Sequence, residues 1–424
     1  MFLTNHRPAL RGLAPVRLAP LGLAIASSLL LAACVGSPNQ TTTTDEGLPQ
    51  LDQKTVIAVG NGPHGIALAG GTIINSNPKS GSISLIDPES ETVVKTLEVG
   101  SPDSNSPTQA QATHDGLYAV TMDSKANLLR VVKGETRAIV STVALGKKPG
   151  SKLVWADDIT AYLAVGTTAD ANVIKITWPN GFEADAATES LTVSRPEASS
   201  FTAGFLAVGG GYLAVPNGAD NAVSFVKLGE SASPTTLQEG NGPGPVGIST
   251  ADGGAVLLFG NKNSSTVVLY DLSAKQKLAT LQVGSTPTDM VLRADGRFAY
   301  VTCNGSGEVA VIDVEGRKLH GMVKVGRGLA DSPSKPVHIY AVAKPAEASG
   351  YRVTHEGHDE IAQQIWVGGD GDASVTVLDA ETQKAIAVIK VGKGHHKMAF
   401  TAAKAFVSNL TDNTVSVIDR RAIR

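Results

Sequence analysis

One pattern recurs from Leu51 to the end of the chain: a β-rich run, a turn, a run ending in aspartate, a short polar turn, then a run ending in Val-Gly. Phe298 to Asn304 leads through Gly305-Ser306-Gly307 to Val309-Ala310-Val311-Ile312-Asp313, and then to Val323-Lys324-Val325-Gly326. Ser82 to Asp87 leads through Pro88 to Glu91 and on to Gly100, while Ala405 to Asn409 leads through Thr411-Asp412-Asn413 to Asp419. Alternating side chains put one face of each run against a neighbour, and the Asn, Asp, Gly and Ser clusters supply the turns. A chain of this kind folds as copies of one unit, and each copy needs its neighbours to cover its apolar faces.

The spacing sets the copy number. Aspartate-ended third strands fall at Asp87, Asp271, Asp313, Asp379 and Asp419, with degenerate equivalents at 129–132, 173–176 and 223–226. That makes eight copies. Asp271 to Asp313 spans 42 residues and Asp379 to Asp419 spans 40, which suits one four-stranded blade. Asp313 to Asp379 spans 66, so that copy carries an insertion of about half a blade, roughly 343–364. The last copy stops at Asp419 to Arg424 without a Val-Gly strand, whereas 54–60 is an orphan one. The expectation is an all-β propeller of eight four-stranded blades over 51–424, closed by its N-terminal strand. Seven blades is the alternative, because 155–196 is degenerate.

These residues resemble the YVTN family of β-propeller repeats, whose signature runs Tyr-Val-Thr-Asn, then Val-Ser-Val-Ile-Asp, then Val-Gly. Tyr300-Val301-Thr302-Cys303 departs from it only at the last position, and Val415-Ser416-Val417-Ile418-Asp419 repeats its second part. The resemblance covers essentially the whole chain after Leu51 and implies a binding propeller whose innermost strands line a central channel. Related propellers include lactonases and the haem d1 domains of nitrite reductases, so it also implies an enzymatic alternative.

Residues 1–33 carry Arg7, Arg11 and Arg17 and then the apolar stretch 18–33, as an export signal does. The stretch ends in Leu31-Ala32-Ala33-Cys34, which resembles the lipobox of bacterial lipoproteins and implies lipidation of Cys34. Residues 34–50 then read as a lipidated flexible tether. The domain is expected outside the cytoplasm, on the outer membrane if the source is Gram-negative, since Val35 lacks the acidic retention signal. With the leader set aside, 33 basic residues face 39 acidic ones, which argues against a nucleic-acid partner. Cys303 is the only other cysteine, so no internal disulfide is expected, and its apolar run marks it as a buried core residue.

Candidate chemistry rests on histidine. His64, His338, His395 and His396 all sit at the start of an innermost strand, in the first, seventh and eighth copies, which are contiguous around a closed ring. Converging imidazoles at one channel mouth would suit zinc or copper. Against that, His64 follows a proline in a turn common in the family, and adjacent His395 and His396 point to opposite faces of a regular strand. A second candidate lies in the insertion, where Thr354-His355-Glu356-Gly357-His358-Asp359-Glu360 supplies His355 and His358, with His114 of the second copy as a further ligand. A solvated polar loop is the plainer reading of that segment. No nucleophile elbow, Walker loop or zinc-protease spacing occurs, so an enzymatic role has no recognisable catalytic group behind it. The functional expectation is an envelope protein that binds a small ligand, a metal ion or a partner protein; a structural adhesion role is the third possibility.

Overall fold

The computed structural model describes residues 47–423 except 103–105, 167–171, 192–205, 218–220, 231–233, 252, 329–332, 346–352, 356–357, 361–362 and 395–396. Eight sheets built on four antiparallel strands follow one another along the chain. Blade 1 runs from Ile66 to Glu98, blade 2 from Gln109 to Ala144, blade 3 from Pro149 to Leu191 and blade 4 from Ala207 to Leu237. Blade 5 runs from Pro243 to Gln282, blade 6 from Pro287 to Lys324, blade 7 from Pro336 to Lys390 and blade 8 from Met398 to Asp419. First strands of successive blades touch one another, which makes them the innermost ones. Between blades 7 and 8 the Met398 N–H donates to Tyr340 Oη. The expected eight-bladed ring is therefore present.

Closure is the work of the N-terminal segment. Thr55–Ala58 pairs antiparallel with Thr414–Asp419 as the fourth strand of blade 8, with Ile57 opposite Val415. A further short strand, Gln50–Asp52, runs parallel to Lys384–Lys390 and adds a fifth strand to blade 7. The segment before the ring thus ties two blades, and the sequence pattern marked only one of these pairings. The insertion forms a small hairpin of Val353–His355 and His358–Glu360 between the first and second strands of blade 7.

The core explains why the pattern repeats. Second strands such as Thr72–Asn77 and Lys404–Asn409 are buried along their whole length, while an outer strand such as Thr92–Glu98 is mostly exposed. Among the described residues the apolar side chains gather into eight clusters, one at each junction between blades. At the seam between blades 8 and 1, Ile57 of the closing strand packs with Ile66, Ile73, Phe406 and Val415. Each junction buries the faces that a lone blade would expose, so stability is shared around the ring.

The repeated aspartates turn the chain. Asp87 Oδ1 accepts the N–H groups of Glu89 and Ser90, Asp271 those of Ser273 and Ala274, and Asp379 those of Glu381 and Thr382. Four residues after the aspartate the backbone turns left-handed, at Glu91, Lys275, Arg317 and Gln383. A carboxylate that satisfies the turn's free donors offsets the strain of a non-glycine residue there.

Candidate functional site

Strand register places one residue of each innermost strand at the same height in the channel. Asp289 lies opposite Thr302, His338 opposite Gly368, and Gln109 opposite Met122, each partner being the penultimate residue of its second strand. The Ser408 N–H donates to the Lys397 carbonyl and the Ser76 N–H to the Gly65 carbonyl, which puts Lys397 and Gly65 on the same level. Lys152 and Pro245 occupy it in blades 3 and 5, inside the irregular pairings of Pro149 with Val165 and Pro243 with Asn261. The ring therefore reads Gly65, Gln109, Lys152, Pro245, Asp289, His338 and Lys397, and the position in blade 4 falls outside the described residues.

Two interactions organise these side chains. Lys397 Nζ donates to Oε1 of the buried Gln109, a bond from blade 8 to blade 2 that passes blade 1, where Gly65 offers no side chain. A Cβ at Gly65 would stand 2.2 Å from the Ala110 nitrogen, so only glycine fits this crossing. On the other side Asp289 Oδ1 accepts the Met290 N–H at 2.9 Å, and its Oδ2 lies 3.7 Å from His338 Nδ1. That separation is long for a hydrogen bond and lies within ion-pair reach for a protonated imidazole. Thr288 Oγ1 and Asn304 Nδ2 both donate to the Pro336 carbonyl, at 3.2 and 3.3 Å, and hold blades 6 and 7 in register for it.

The charges are unequal. Burial alone would push the Asp289 carboxyl up, but the Lys152 charge and His338 outweigh it and hold the group below its usual range. Burial also pushes the Lys397 ammonium down to about 8; Asp289 opposes that shift and Lys152 adds to it. Lys152 itself makes no hydrogen bond or ion pair with any described residue. One carboxylate thus serves two lysines and an imidazole among the described ring residues, which leaves a cationic surplus facing the channel.

His338, alone among the described histidines, occupies the ring. His64 precedes the ring position Gly65; its carbonyl accepts from Ser408 Oγ, so its backbone ties blade 1 to blade 8. His395 and His396 lie outside the described residues, as does Cys34, and Lys397, the next residue, takes the ring position of blade 8. His114 Nδ1 is 3.6 Å from Asp158 Oδ1, in the loop of the next blade, and half of its side chain is exposed. His355 and His358 are register partners across the inserted hairpin. No group of three or more His, Cys, Asp or Glu side chains that could hold a metal occurs among the described residues. Cys303 is fully buried, and burial pushes its thiol up to about 12, as expected of a core residue.

Sequence reasoning missed Gln109, Lys152, Asp289 and Lys397. A signal was present: in blades 6 and 7 the ring residue stands two places after the proline that opens the strand, as Pro287-Thr288-Asp289 and Pro336-Val337-His338. Read at that offset, Pro107-Thr108-Gln109 and Pro63-His64-Gly65 line up as well.

A β-propeller with a charged ring in its channel is the class that fold and site define. No protein-family model and no curated protein matches the chain. Among solved structures it is similar to the dihydro-haem d1 dehydrogenase NirN in complex with its ligand, at 14% identity and a TM-score of 0.55, covering 84% of this chain and 69% of that one. It is also similar to Sqt1 of Saccharomyces cerevisiae, at 11% identity and a TM-score of 0.62, covering 87% and 99%. Similarity at this level shows the propeller fold alone.

Proposed function

We propose that this chain is a ligand-binding propeller of the bacterial cell envelope, tethered through Cys34, whose channel ring takes a small carboxylate-bearing anion. The observation that carries the reading is Lys152, an exposed ammonium that bears on Asp289 through space but makes no hydrogen bond or ion pair with a described residue, set on one level with Lys397, His338 and, among the described ring residues, a single carboxylate. Cations gathered on one level of a channel favour an anion from solvent over another cation. The same surplus weighs against a zinc or copper ion at this level, and the metal reading of His64, His338, His395 and His396 becomes the competing proposal.

Titration with oxalate, which bears two carboxylates and no reactive carbonyl, tests this. The expected result is saturable binding that weakens about tenfold in Lys152→Ala, the loss of one ion pair. Undiminished binding in that variant would overturn the reading, and tight zinc or copper binding with no oxalate binding would favour the metal proposal. A second reading, a haem d1-related propeller, is favoured by the fold similarity to NirN, a protein solved with its ligand bound. A visible absorption spectrum of the protein as purified tests it: a tetrapyrrole band supports it, and a featureless spectrum after incubation with haem counts against it.

A further inference from the structure

We propose that the ligand is an anion that also carries an aldehyde or ketone, a 2-oxo acid being the simplest, and that Lys397 captures it reversibly as an imine. This rests on the anion-binding reading of the same ring and adds chemistry to it. Lysines placed to neutralise charge are held by carboxylates, as Lys344 is by Asp379 at 2.5 Å and Lys54 by Glu91 at 2.6 Å. Lys397 instead donates to an amide oxygen, Gln109 Oε1, and forms no ion pair among the described residues. An amide acceptor orients the amine without committing it to the ammonium form.

The neighbours fit the rest of the step. Lys152, on the same level and without a hydrogen bond or ion pair to a described residue, suits the carboxylate of the ligand, which would bring the adjacent carbonyl carbon toward Lys397 Nζ. Nitrogen attacks that carbon, the N–C bond forms, and the carbonyl oxygen becomes a hydroxyl. His338, whose Nδ1 lies 3.7 Å from Asp289 Oδ2, gives a proton to the departing hydroxyl and recovers one from nitrogen. Water leaves with both hydrogens of the amine, and the imine forms with no oxidant or reductant consumed. The Tyr340 hydroxyl accepts the Met398 N–H at 3.2 Å and fixes the backbone beside the amine.

The experiment treats the purified protein with pyruvate and cyanoborohydride, which reduces imines only, and maps the adduct by peptide mass spectrometry. The expected result is one reduced pyruvyl group on Lys397, at least about tenfold above any other lysine, suppressed by excess oxalate and absent in Lys397→Arg. Lys397→Arg removes the nucleophilic amine and so serves as the labelling control. Labelling spread evenly over surface lysines, or unchanged by oxalate, overturns the imine. If it fails while oxalate still binds in a Lys152-dependent way, the anion reading stands without the covalent step; if oxalate does not bind, the anion reading fails as well.

Discussion

Asp289 keeps its charge in the channel wall because Lys152 and His338 together outweigh the burial that opposes it. Replacing it with asparagine keeps an oxygen for the Met290 N–H and removes the one negative charge described on the ring. Oxalate affinity in Asp289→Asn should rise several-fold, measured by calorimetry, and an unchanged affinity would show that the ring does not set the field at the site. The Lys397 charge is present below about pH 8 and fades above it, so oxalate binding should weaken as pH rises through that range. Gly65→Ala would drive a methyl group into the Gln109–Ala110 backbone and cost on the order of 2–3 kcal/mol, read by thermal unfolding. Cys303 was legible from its apolar run, whereas the ring was not. Histidine drew the sequence reading by residue type, but strand register decides which residue meets the channel. Alternation sends the side chain two places after the proline inward, and His64, one place earlier, misses it.

Glu91 is the polar key of the seam. It ends the turn of blade 1 in a left-handed conformation, and its carboxylate meets Lys54 at 2.6 Å and Lys404 of blade 8 at 3.1 Å, with Thr55 Oγ1 donating to it. Burial alone would raise its pKa, yet these donors and charges hold the group at about 2. Its folded pKa lies below the unfolded one, so its stabilisation is complete above about pH 4.5 and is lost as pH falls toward 2. Glu91→Gln should remove on the order of 1–2 kcal/mol at neutral pH, a figure discounted for the half-exposed Lys54, and should flatten the acid limb of the stability curve. An unaltered acid limb would show that the seam does not depend on this carboxylate. The closing strand itself was legible, because an orphan Val-Gly run at one end matches a missing one at the other. The seam pairing of Glu91 was not, since it joins residues 37 and 313 positions apart through a fold that had first to be closed.

At the scale of the whole molecule, eight apolar junctions share the burial, so a break at one of them is felt around the ring. Deleting residues 51–60 takes Ile57 from the last junction and the outer strand from blade 8, and leaves the edge of Thr414–Asp419 unpaired. The truncated protein should unfold at a markedly lower temperature and self-associate through that edge, seen by scattering and calorimetry. Wild-type stability and size would contradict closure by this strand. The ring also explains how residues from blades 2, 3, 6, 7 and 8 come to share one channel level, on which the proposed anion binding depends. Its most direct test is a calorimetric titration of the purified protein with oxalate at neutral pH, beside Lys152→Ala. Saturable binding at one site per chain, weakened about tenfold by loss of Lys152, is the predicted result; no binding, or equal binding by both proteins, would contradict it.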